Sequence, residues 1–137
     1  MSLVLDGSAT VAWLVPDERT APSQRVLEQV GEMGAIVPML WRLEIGNTLT
    51  LAVRRKRISR DERAAALAKL SDLPIETDPE TFVHAWTSTL ALADRFNLTV
   101  YDACYLELAQ RRALPLATLD KDLRKAAEAL DIPLLGI

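Results

Sequence analysis

The chain has 137 residues, of which 50% are hydrophobic and 26% charged, and its formal net charge at pH 7 is −3. This composition is that of an ordinary globular protein, and the length suits a single domain over residues 1–137. The negative net charge excludes a global positive field that would attract nucleic acid. The lone Cys104 excludes an internal disulfide. The lack of long apolar runs or a leader predicts a cytoplasmic protein with no membrane contact.

Short apolar strands alternate with helices in the first half of the chain. Ser8 is a suitable N-cap for the first helix, and Pro16 ends it. Gly34 is a stop signal for the second helix, and the series from Ser59 to Glu62 is typical of a capping box that opens another. The predicted elements of this half are strands at Leu3–Asp6 and Ala35–Pro38, and helices at Ala9–Val15, Ala21–Met33, Leu40–Arg55 and about 59–73.

The second half continues the alternation. Asp78 followed by Pro79 places a capping residue before a proline at the first helical position. The predicted elements of this half are helices at Glu80–Phe96, Tyr101–Arg112 and Lys121–Leu130, and strands at Pro115–Thr118 and Pro133–Leu135. Strands and helices in this order predict an α/β layer fold with a mostly parallel sheet, in which ligands bind beyond the carboxyl ends of the strands.

Four acidic residues, Asp6, Glu44, Asp102 and Asp120, stand where such a fold would bring side chains together. Asp6 and Asp120 each follow an apolar run and therefore lie at the carboxyl ends of predicted strands. Glu44 and Asp102 lie in predicted helices with largely apolar neighbours. Carboxylates in such surroundings are costly to bury unless a cation binds them, and Mg²⁺ or Mn²⁺ prefers an all-oxygen site. The four therefore predict a metal-dependent site for phosphoryl chemistry.

Each carboxylate also has a purely structural explanation. Glu44 could pair with an arginine or an unsatisfied amide, Asp6 could begin a turn, and Asp120 could cap the helix that follows it. Asp102, three residues after Thr99, fits a capping box and the favourable end of a helix dipole. Each explanation is as well supported as a role in a site, but the presence of all four in one strand–helix register favours a common site.

A basic run lies between positions 54 and 63, which hold six of the 16 Lys and Arg residues. Such density in an acidic protein is what contact with a phosphate backbone requires. An equally supported alternative is a helix C-terminus that carries cations, which the helix dipole favours. The run consists of Arg54, Arg55, Lys56, Arg57, Arg60 and Arg63, and the first four are the candidate RNA contacts.

Several other residues that draw attention are predicted to be structural. His84 is interpreted as a packed or surface residue, and Cys104 as a small core residue. The first helix is unusually apolar, which would suit either the core or the binding of a partner helix. Its apolar residues are Val11, Trp13, Leu14 and Val15.

Four segments of the sequence together resemble the PIN-domain ribonucleases, specifically the VapC-type toxins of toxin–antitoxin pairs. They occur in the family's order and at about its spacing, and they span nearly the whole chain. The segments are Leu3–Ser8, Trp41–Leu49, Leu98–Ala103 and Leu116–Leu123.

The resemblance implies a three-layer α/β fold, with a mostly parallel sheet of four to five short strands and about seven helices. It also implies Mg²⁺- or Mn²⁺-dependent cleavage of single-stranded or looped RNA by the four carboxylates, as catalytic residues and metal ligands. The supporting polar residues that it implies are Ser8, Asn47, Thr118 and Asp122. Its further implications are a homodimer and a cognate antitoxin protein that covers the active groove.

Two other classes of function remain open at this point. A strand-terminal aspartate is also the nucleophile of haloacid-dehalogenase-like phosphatases, but Ser8 stands where their second aspartate belongs. Acid-quenched labelling separates these two classes, because the phosphatase forms an aspartyl-phosphate and the nuclease does not. A non-catalytic binding module, in which the acids only hold the structure, would neither bind Mg²⁺ or Mn²⁺ nor cleave RNA.

Overall fold

The structure is a computed structural model that describes residues 2–137. Within this range, five short strands form one parallel sheet: β1 (Leu3–Leu5), β2 (Ala35–Val37), β3 (Ile75–Thr77), β4 (Leu116–Ala117) and β5 (Leu134–Leu135). Their order across the sheet is β3-β2-β1-β4-β5. Val4 of β1 pairs with Ile36 on one side and with Leu116 on the other. The predicted parallel sheet is confirmed.

The helices of the described chain are eight α-helices and one short 3-10 helix. The α-helices are α1 (Gly7–Leu14), α2 (Ala21–Met33), α3 (Trp41–Arg54), α4 (Arg60–Ser71), α5 (Thr81–His84), α6 (Ser88–Phe96), α7 (Val100–Arg112) and α8 (Lys121–Ala129). The 3-10 helix spans Pro16–Glu18. Helix α1 contacts α2 and α3, and α3 contacts α4, whereas α7 contacts α6 and α8. Two helical layers therefore accompany the sheet. None of the helices in residues 2–137 has the length and apolar character needed to cross a membrane.

The chain changes its direction of winding across the sheet next to β1. From β1 it proceeds to β2 and β3 on one side, and α5, α6 and α7 then lead back past β1 to β4 on the other. In open parallel sheets such a switch point leaves a crevice beyond the carboxyl ends of the strands, where ligands bind. Asp6 directly follows β1 and Thr118 directly follows β4, so both residues stand at this crevice.

The core lies around the central strands. β1 is fully buried, as a continuous apolar run in a parallel sheet should be. Trp13 and Val15 are buried in the core, and Val11 and Leu14 pack against it. The apolar character of the first helix is therefore largely explained by the core.

The cap predicted for the first helix is wrong. Ser8 lies inside α1, and the N-cap is Asp6, whose Oδ1 atom accepts a hydrogen bond from the Ala9 N–H at 2.9 Å. An aspartate at the end of a strand already provides the acceptor that a helix N-terminus requires, so the helix begins directly after the strand. The capping box that opens α4 and the Thr99 cap of α7 are confirmed.

The single helix predicted over Glu80–Phe96 is also wrong. It is divided into α5 and α6, because Thr87 adopts non-helical backbone angles of φ −121° and ψ −96°. Its predicted cap, Asp78, is buried and accepts a hydrogen bond of 2.6 Å from Arg111, and the helix begins later than predicted, at Thr81 with Glu80 as its N-cap. No local pattern shows a partner that lies 33 residues away in the chain.

The strand count falls within the predicted range of four to five. The four strands predicted individually are all present, and β3 is the fifth. It lies at one edge of the sheet, where Glu76 and Thr77 are exposed, so it lacks the continuous apolar run that identifies the other strands.

Candidate active site

The four predicted carboxylates come from four different parts of the fold and line one cavity at the carboxyl ends of β1 and β4, together with a fifth carboxylate, Glu18. Asp6 follows β1, Glu44 and Asp102 lie in the first turns of α3 and α7, and Asp120 caps α8. The structure therefore brings together the four acidic residues that the sequence singles out. The cavity has a volume of about 430 Å³, and its other lining residues are Gly7, Ser8, Val11, Glu18, Thr48, Tyr105 and Leu119.

Asp6 is the most deeply buried of the four carboxylates, with 5% of its surface exposed. Its Oδ1 atom accepts hydrogen bonds from the Ser8 hydroxyl at 2.7 Å and the Ala9 N–H at 2.9 Å, and its Oδ2 atom accepts one from the Thr118 hydroxyl. Burial raises the pKa of Asp6 more than these hydrogen bonds lower it, and the Asp102 carboxylate adds to the rise. The structural role of Asp6 is that of the N-cap of α1 and not of a turn residue, and its carboxylate also reaches the cavity.

Glu44 is half-buried and is held by Tyr105, whose hydroxyl donates a hydrogen bond of 2.5 Å to Oε1. Burial raises the pKa of Glu44, and the nearby Asp102 and Asp6 carboxylates raise it further. Burial and the bond to Glu44 raise the pKa of Tyr105 far above its usual range, so its hydroxyl stays protonated. The alternative explanation of Glu44, pairing with an arginine or an amide, is wrong.

Asp102 and Asp120 complete the set. Thr99 caps α7 by accepting a hydrogen bond from the Asp102 N–H at 3.1 Å, which places the Asp102 carboxylate in the first turn. Burial raises the pKa of Asp102, and Asp120 and Asp122 raise it further. Asp120 accepts the Leu123 N–H at 2.9 Å through Oδ1, so it does cap α8 as the structural explanation predicts. A carboxylate has two oxygens, and the capping role leaves Oδ2 for the cavity.

Comparisons with known proteins agree with this geometry. The model of the PIN domain family matches residues 3–129. The chain is 32% identical over 133 residues to ribonuclease VapC3 of Pyrobaculum aerophilum, an alignment that covers 97% of this chain and 100% of that protein. The chain belongs to the VapC-type ribonucleases of the PIN-domain family. The crystal structure of PAE2754, also from Pyrobaculum aerophilum, aligns with a TM-score of 0.68 at 25% identity and covers 92% of this chain and 86% of that one. The three-layer α/β fold is thereby confirmed.

Membership in the PIN-domain family supports the nuclease and gives no support to the phosphatase alternative. The geometry agrees, because Ser8 stands in place of the second aspartate of such phosphatases and its hydroxyl donates to Asp6.

The donor chemistry of this PIN-domain site fits a hard divalent cation. All four groups are carboxylates, and burial raises the pKa of three of them with help from mutual repulsion. A bound cation would relieve both effects. Mg²⁺ usually keeps several waters and binds through one or two carboxylates, and a cavity of about 430 Å³ has room for them. Among residues 2–137, no group of three or more His, Cys, Asp or Glu side chains is already arranged to hold a metal ion.

Two of the predicted supporting residues connect the strand ends at the PIN-domain cavity. The buried Thr118 hydroxyl donates to Asp6 and accepts a hydrogen bond from the Asp120 N–H at 3.1 Å. The Ser8 hydroxyl donates to Asp6 and accepts the Leu119 N–H at 3.0 Å. The structure thus places both hydroxyls between the ends of β1 and β4.

The other two predicted supporting residues lie outside the cavity lining. Asn47 is exposed, and Thr48, one helical turn after Glu44, lines the cavity in its place. Asp122 is also exposed, but it is close enough to raise the pKa of Asp102. Asn47 lies three residues after Glu44 on α3 and Thr48 lies four, and in this helix the i, i+4 neighbour of Glu44 is the one that lines the cavity.

Sequence reasoning missed two further residues of the site. Tyr105 is not among the predicted site residues, although its position three residues after Asp102 on the same helix face is the signal that could have assigned it to the site. Glu18 comes from the 3-10 helix, which begins at Pro16, and the sequence-based prediction takes this proline only as the end of the first helix.

The basic run begins at the C-terminus of α3, and the four predicted RNA contacts from Arg54 to Arg57 are exposed. Arg54 lies in the last turn of α3, where the helix dipole favours a cation. Arg57 pairs with the exposed Asp17 at 3.3 Å. Arg55 and Arg57 line a small cavity of about 120 Å³, which adjoins the acidic cavity because both are lined by Val11, Glu18 and Thr48.

Two other features of the molecule are distinct from this site. A cleft of about 330 Å³ between α3, α4 and the β2–β3 edge has no carboxylate side chain in its lining. On the far part of α7, Arg111 pairs with the buried Asp78 at 2.6 Å and the buried Glu107 at 2.7 Å. The half-buried His84 packs 3.9 Å from Glu107, and burial raises the pKa of Cys104 to about 11. His84 is thus packed and Cys104 is buried, as the sequence predicts.

Proposed function

We propose that the chain, as one PIN domain over residues 1–137, is a Mg²⁺- or Mn²⁺-dependent endoribonuclease and the toxin component of a type II toxin–antitoxin system. The convergence of Asp6, Glu44, Asp102 and Asp120 on one open cavity at the switch point of the sheet carries this proposal. The VapC-type ribonucleases to which the chain belongs hydrolyse phosphodiester bonds of RNA.

Asp6 and Asp102 would be the firmest metal ligands, with Glu44 and Asp120 bound directly or through water. A cation held by these residues would lower the pKa of a water molecule and stabilise negative charge on the phosphodiester oxygens. The chain's own part is to hold the carboxylates in place. Thr118 and the first turn of α1 fix Asp6, and the N-terminus of α8 fixes Asp120.

A cleavage assay tests the enzymatic part of this proposal. The purified protein should cleave single-stranded RNA with Mg²⁺ or Mn²⁺ present and stop when EDTA removes the metal. Asp102→Asn should be inactive, because the amide keeps the size of the side chain and removes the charge that holds the cation. Asp94→Asn is the matched control, since Asp94 is exposed on α6 outside the cavity, and it should keep wild-type activity. Cleavage that is indifferent to EDTA would overturn the proposal.

The basic run is proposed to hold the RNA backbone beside the acidic cavity. Arg55 and Arg57 line the adjoining cavity, Lys56 lies between them, and all three are exposed. Arg54 would extend the contact along α3. Because the protein is acidic overall, a local patch of this kind is the part of the surface suited to phosphates.

The toxin role predicts an effect in cells. Induction of the wild-type chain in the cytoplasm should arrest growth, and Asp102→Asn should not. Co-expression of a cognate antitoxin that covers the active groove should restore growth. Sequencing the 5′ ends of transcripts after brief induction would identify the RNA and the cut site. Equal growth arrest by Asp102→Asn would show that the toxicity does not depend on the proposed nuclease activity.

A homodimer is proposed on the basis of an exposed apolar patch formed by Phe82, Val83 and Trp86. Phe82 is 73% and Trp86 86% exposed, and apolar surface of this kind marks association sites. Light scattering should give twice the chain mass of 15.2 kDa for the wild type. Trp86→Ser should lower the measured mass, whereas Ile137→Ser, which also replaces an exposed apolar residue but lies after β5 and outside the patch, should not. A wild-type protein of monomer mass would contradict the dimer.

A further inference from the structure

We infer that Tyr105 is a positioning residue that holds Glu44 in the orientation needed to bind the metal ion. The inference rests on the proposed metal-dependent function and adds to it a residue that acts through another. Its basis is the hydrogen bond of 2.5 Å from the Tyr105 hydroxyl to Oε1 of Glu44, across 61 residues of the chain.

The position of the Tyr105 hydroxyl is restricted by packing, because the ring that carries it is buried in the core. Tyr105 is 1% exposed and belongs to the hydrophobic core, while its hydroxyl end reaches the lining of the acidic cavity. Glu44 is a flexible side chain on a half-buried helix face, so without this contact it would sample several rotamers. A metal ligand fixed in advance binds its ion more tightly than one that must be ordered on binding.

The contact also divides the two oxygens of Glu44 between separate tasks. Oε1 accepts the Tyr105 hydroxyl, and Oε2 makes no hydrogen bond with the described residues, so Oε2 is left to face a cation. Asp6 receives three donors, whereas in residues 2–137 the carboxylate of Glu44 has Tyr105 as its one hydrogen-bond donor.

Tyr105 further links the two helices that supply ligands. It lies one turn after Asp102 on α7 and bonds to Glu44 on α3. The same side chain therefore sets how far Glu44 stands from the Asp102 side of the cavity. Removal of one hydroxyl group should loosen Glu44 without removing any carboxylate.

A calorimetric titration of the metal-free protein with Mn²⁺ tests this inference. Tyr105→Phe keeps the ring and deletes the donor, and it should weaken Mn²⁺ binding by about 10–100-fold, the usual loss when a partner of a metal ligand is removed. Tyr101→Phe is the matched control: the same atom is deleted from the chain's other tyrosine, which is exposed and outside the cavity, and affinity should not change.

A double-mutant cycle with Glu44→Ala separates positioning from a general effect on the fold. In the Glu44→Ala background, Tyr105→Phe should have no further effect on Mn²⁺ affinity, because its target is gone. An equal loss in both backgrounds, or unchanged affinity of Tyr105→Phe, would overturn the inference and leave the proposed function standing. A wild-type protein that binds no Mn²⁺ would overturn both.

Discussion

Three carboxylates of this site reduce the stability of the folded protein when they are ionised, because each is at least partly buried and close to another carboxylate. Burial raises the pKa of Asp6, Glu44 and Asp102, and in each case a neighbouring carboxylate adds to the rise. A carboxyl group with a raised pKa makes the folded protein bind more protons than the unfolded chain. The free energy of unfolding therefore falls as the pH rises from the unfolded pKa of about 4 through the raised values of the folded state. A divalent cation would offset this loss.

We predict that Asp6→Asn and Asp102→Asn each abolish cleavage but leave the metal-free protein at least as stable as the wild type at pH 7. The amide removes repulsion without changing size. The gain in melting temperature over the wild type should shrink toward pH 4, where the wild-type carboxyl groups take up protons. Thermal unfolding followed by circular dichroism, with and without Mn²⁺, measures both effects. Full metal-dependent activity in either variant would show that the ligand assignment is wrong.

The Thr118 hydroxyl connects two of the acidic residues, and its removal tests the supporting role of this residue. Its buried hydroxyl donates a hydrogen bond to Asp6 and accepts one from the Asp120 N–H. Thr118→Val keeps the shape and leaves both groups without this partner, so unfolding should become easier by about 1–3 kcal/mol and Mn²⁺ affinity should fall about 10–100-fold. Thr89→Val, an equally buried change on α6, should leave Mn²⁺ affinity unchanged. Denaturant unfolding and calorimetry provide the two measurements, and normal affinity in Thr118→Val would contradict its supporting role.

Among the helices and strands, those with local signals are the ones that the sequence predicts well. β1 and β2 are continuous apolar runs, and α4 and α7 begin at capping residues, so a few neighbouring residues are enough to identify them. The four carboxylates could be predicted for the same reason, because each lies beside a strand end or in an apolar helix face. The division between α5 and α6 and the contact of Tyr105 with Glu44 could not, since both depend on packing between residues distant in the chain.

The Asp78–Arg111 pair joins the segment between β3 and α5 to helix α7. Burial alone would raise the pKa of Asp78, but the hydrogen bonds from Arg111 and the Glu80 N–H lower it below its usual value of 3.8. Because its pKa is lowered in the folded protein, Asp78 contributes to the free energy of unfolding above about pH 4. This contribution is lost as the pH falls through the lowered pKa.

We therefore expect Asp78→Asn to reduce the free energy of unfolding at pH 7 by about 3 kcal/mol, the lower end of the range for a broken buried ion pair, because Glu107 still neutralises Arg111. Asp17→Asn, which breaks the exposed pair with Arg57, should change it by less than about 1 kcal/mol. Urea unfolding at pH 7 and below pH 4 measures both variants. A difference between Asp78→Asn and the wild type that persists undiminished at pH 2 would contradict the ion pair as its cause.

For the whole molecule, the distribution of charge matters more than its sum. The net charge of −3 would repel RNA, yet the acidic cavity and the basic run adjoin each other through shared lining residues. The carboxylates need a cation before a phosphate can approach them, whereas the arginines attract the backbone directly. Placed side by side, the two surfaces would bind the strand at one point and act on it at another.

We predict that replacing Arg55, Lys56 and Arg57 together by glutamine weakens RNA binding and flattens its dependence on salt. The slope of log affinity against log salt should change by about 0.7 for each phosphate of a single strand that the variant no longer neutralises, or by about 2 if each of the three residues binds one phosphate. Cleavage at saturating RNA should change little, because these residues hold the backbone and not the reacting phosphate.

The control for this variant removes the same three charges at exposed positions elsewhere, through glutamine at Arg25, Arg95 and Arg112. Filter binding at a series of salt concentrations measures both proteins. If the two variants show the same slope, the total charge is responsible and the basic run is a solvated helix end. If only the variant at positions 55–57 has a flatter slope, the run holds RNA phosphates next to the cavity in which the carboxylates act.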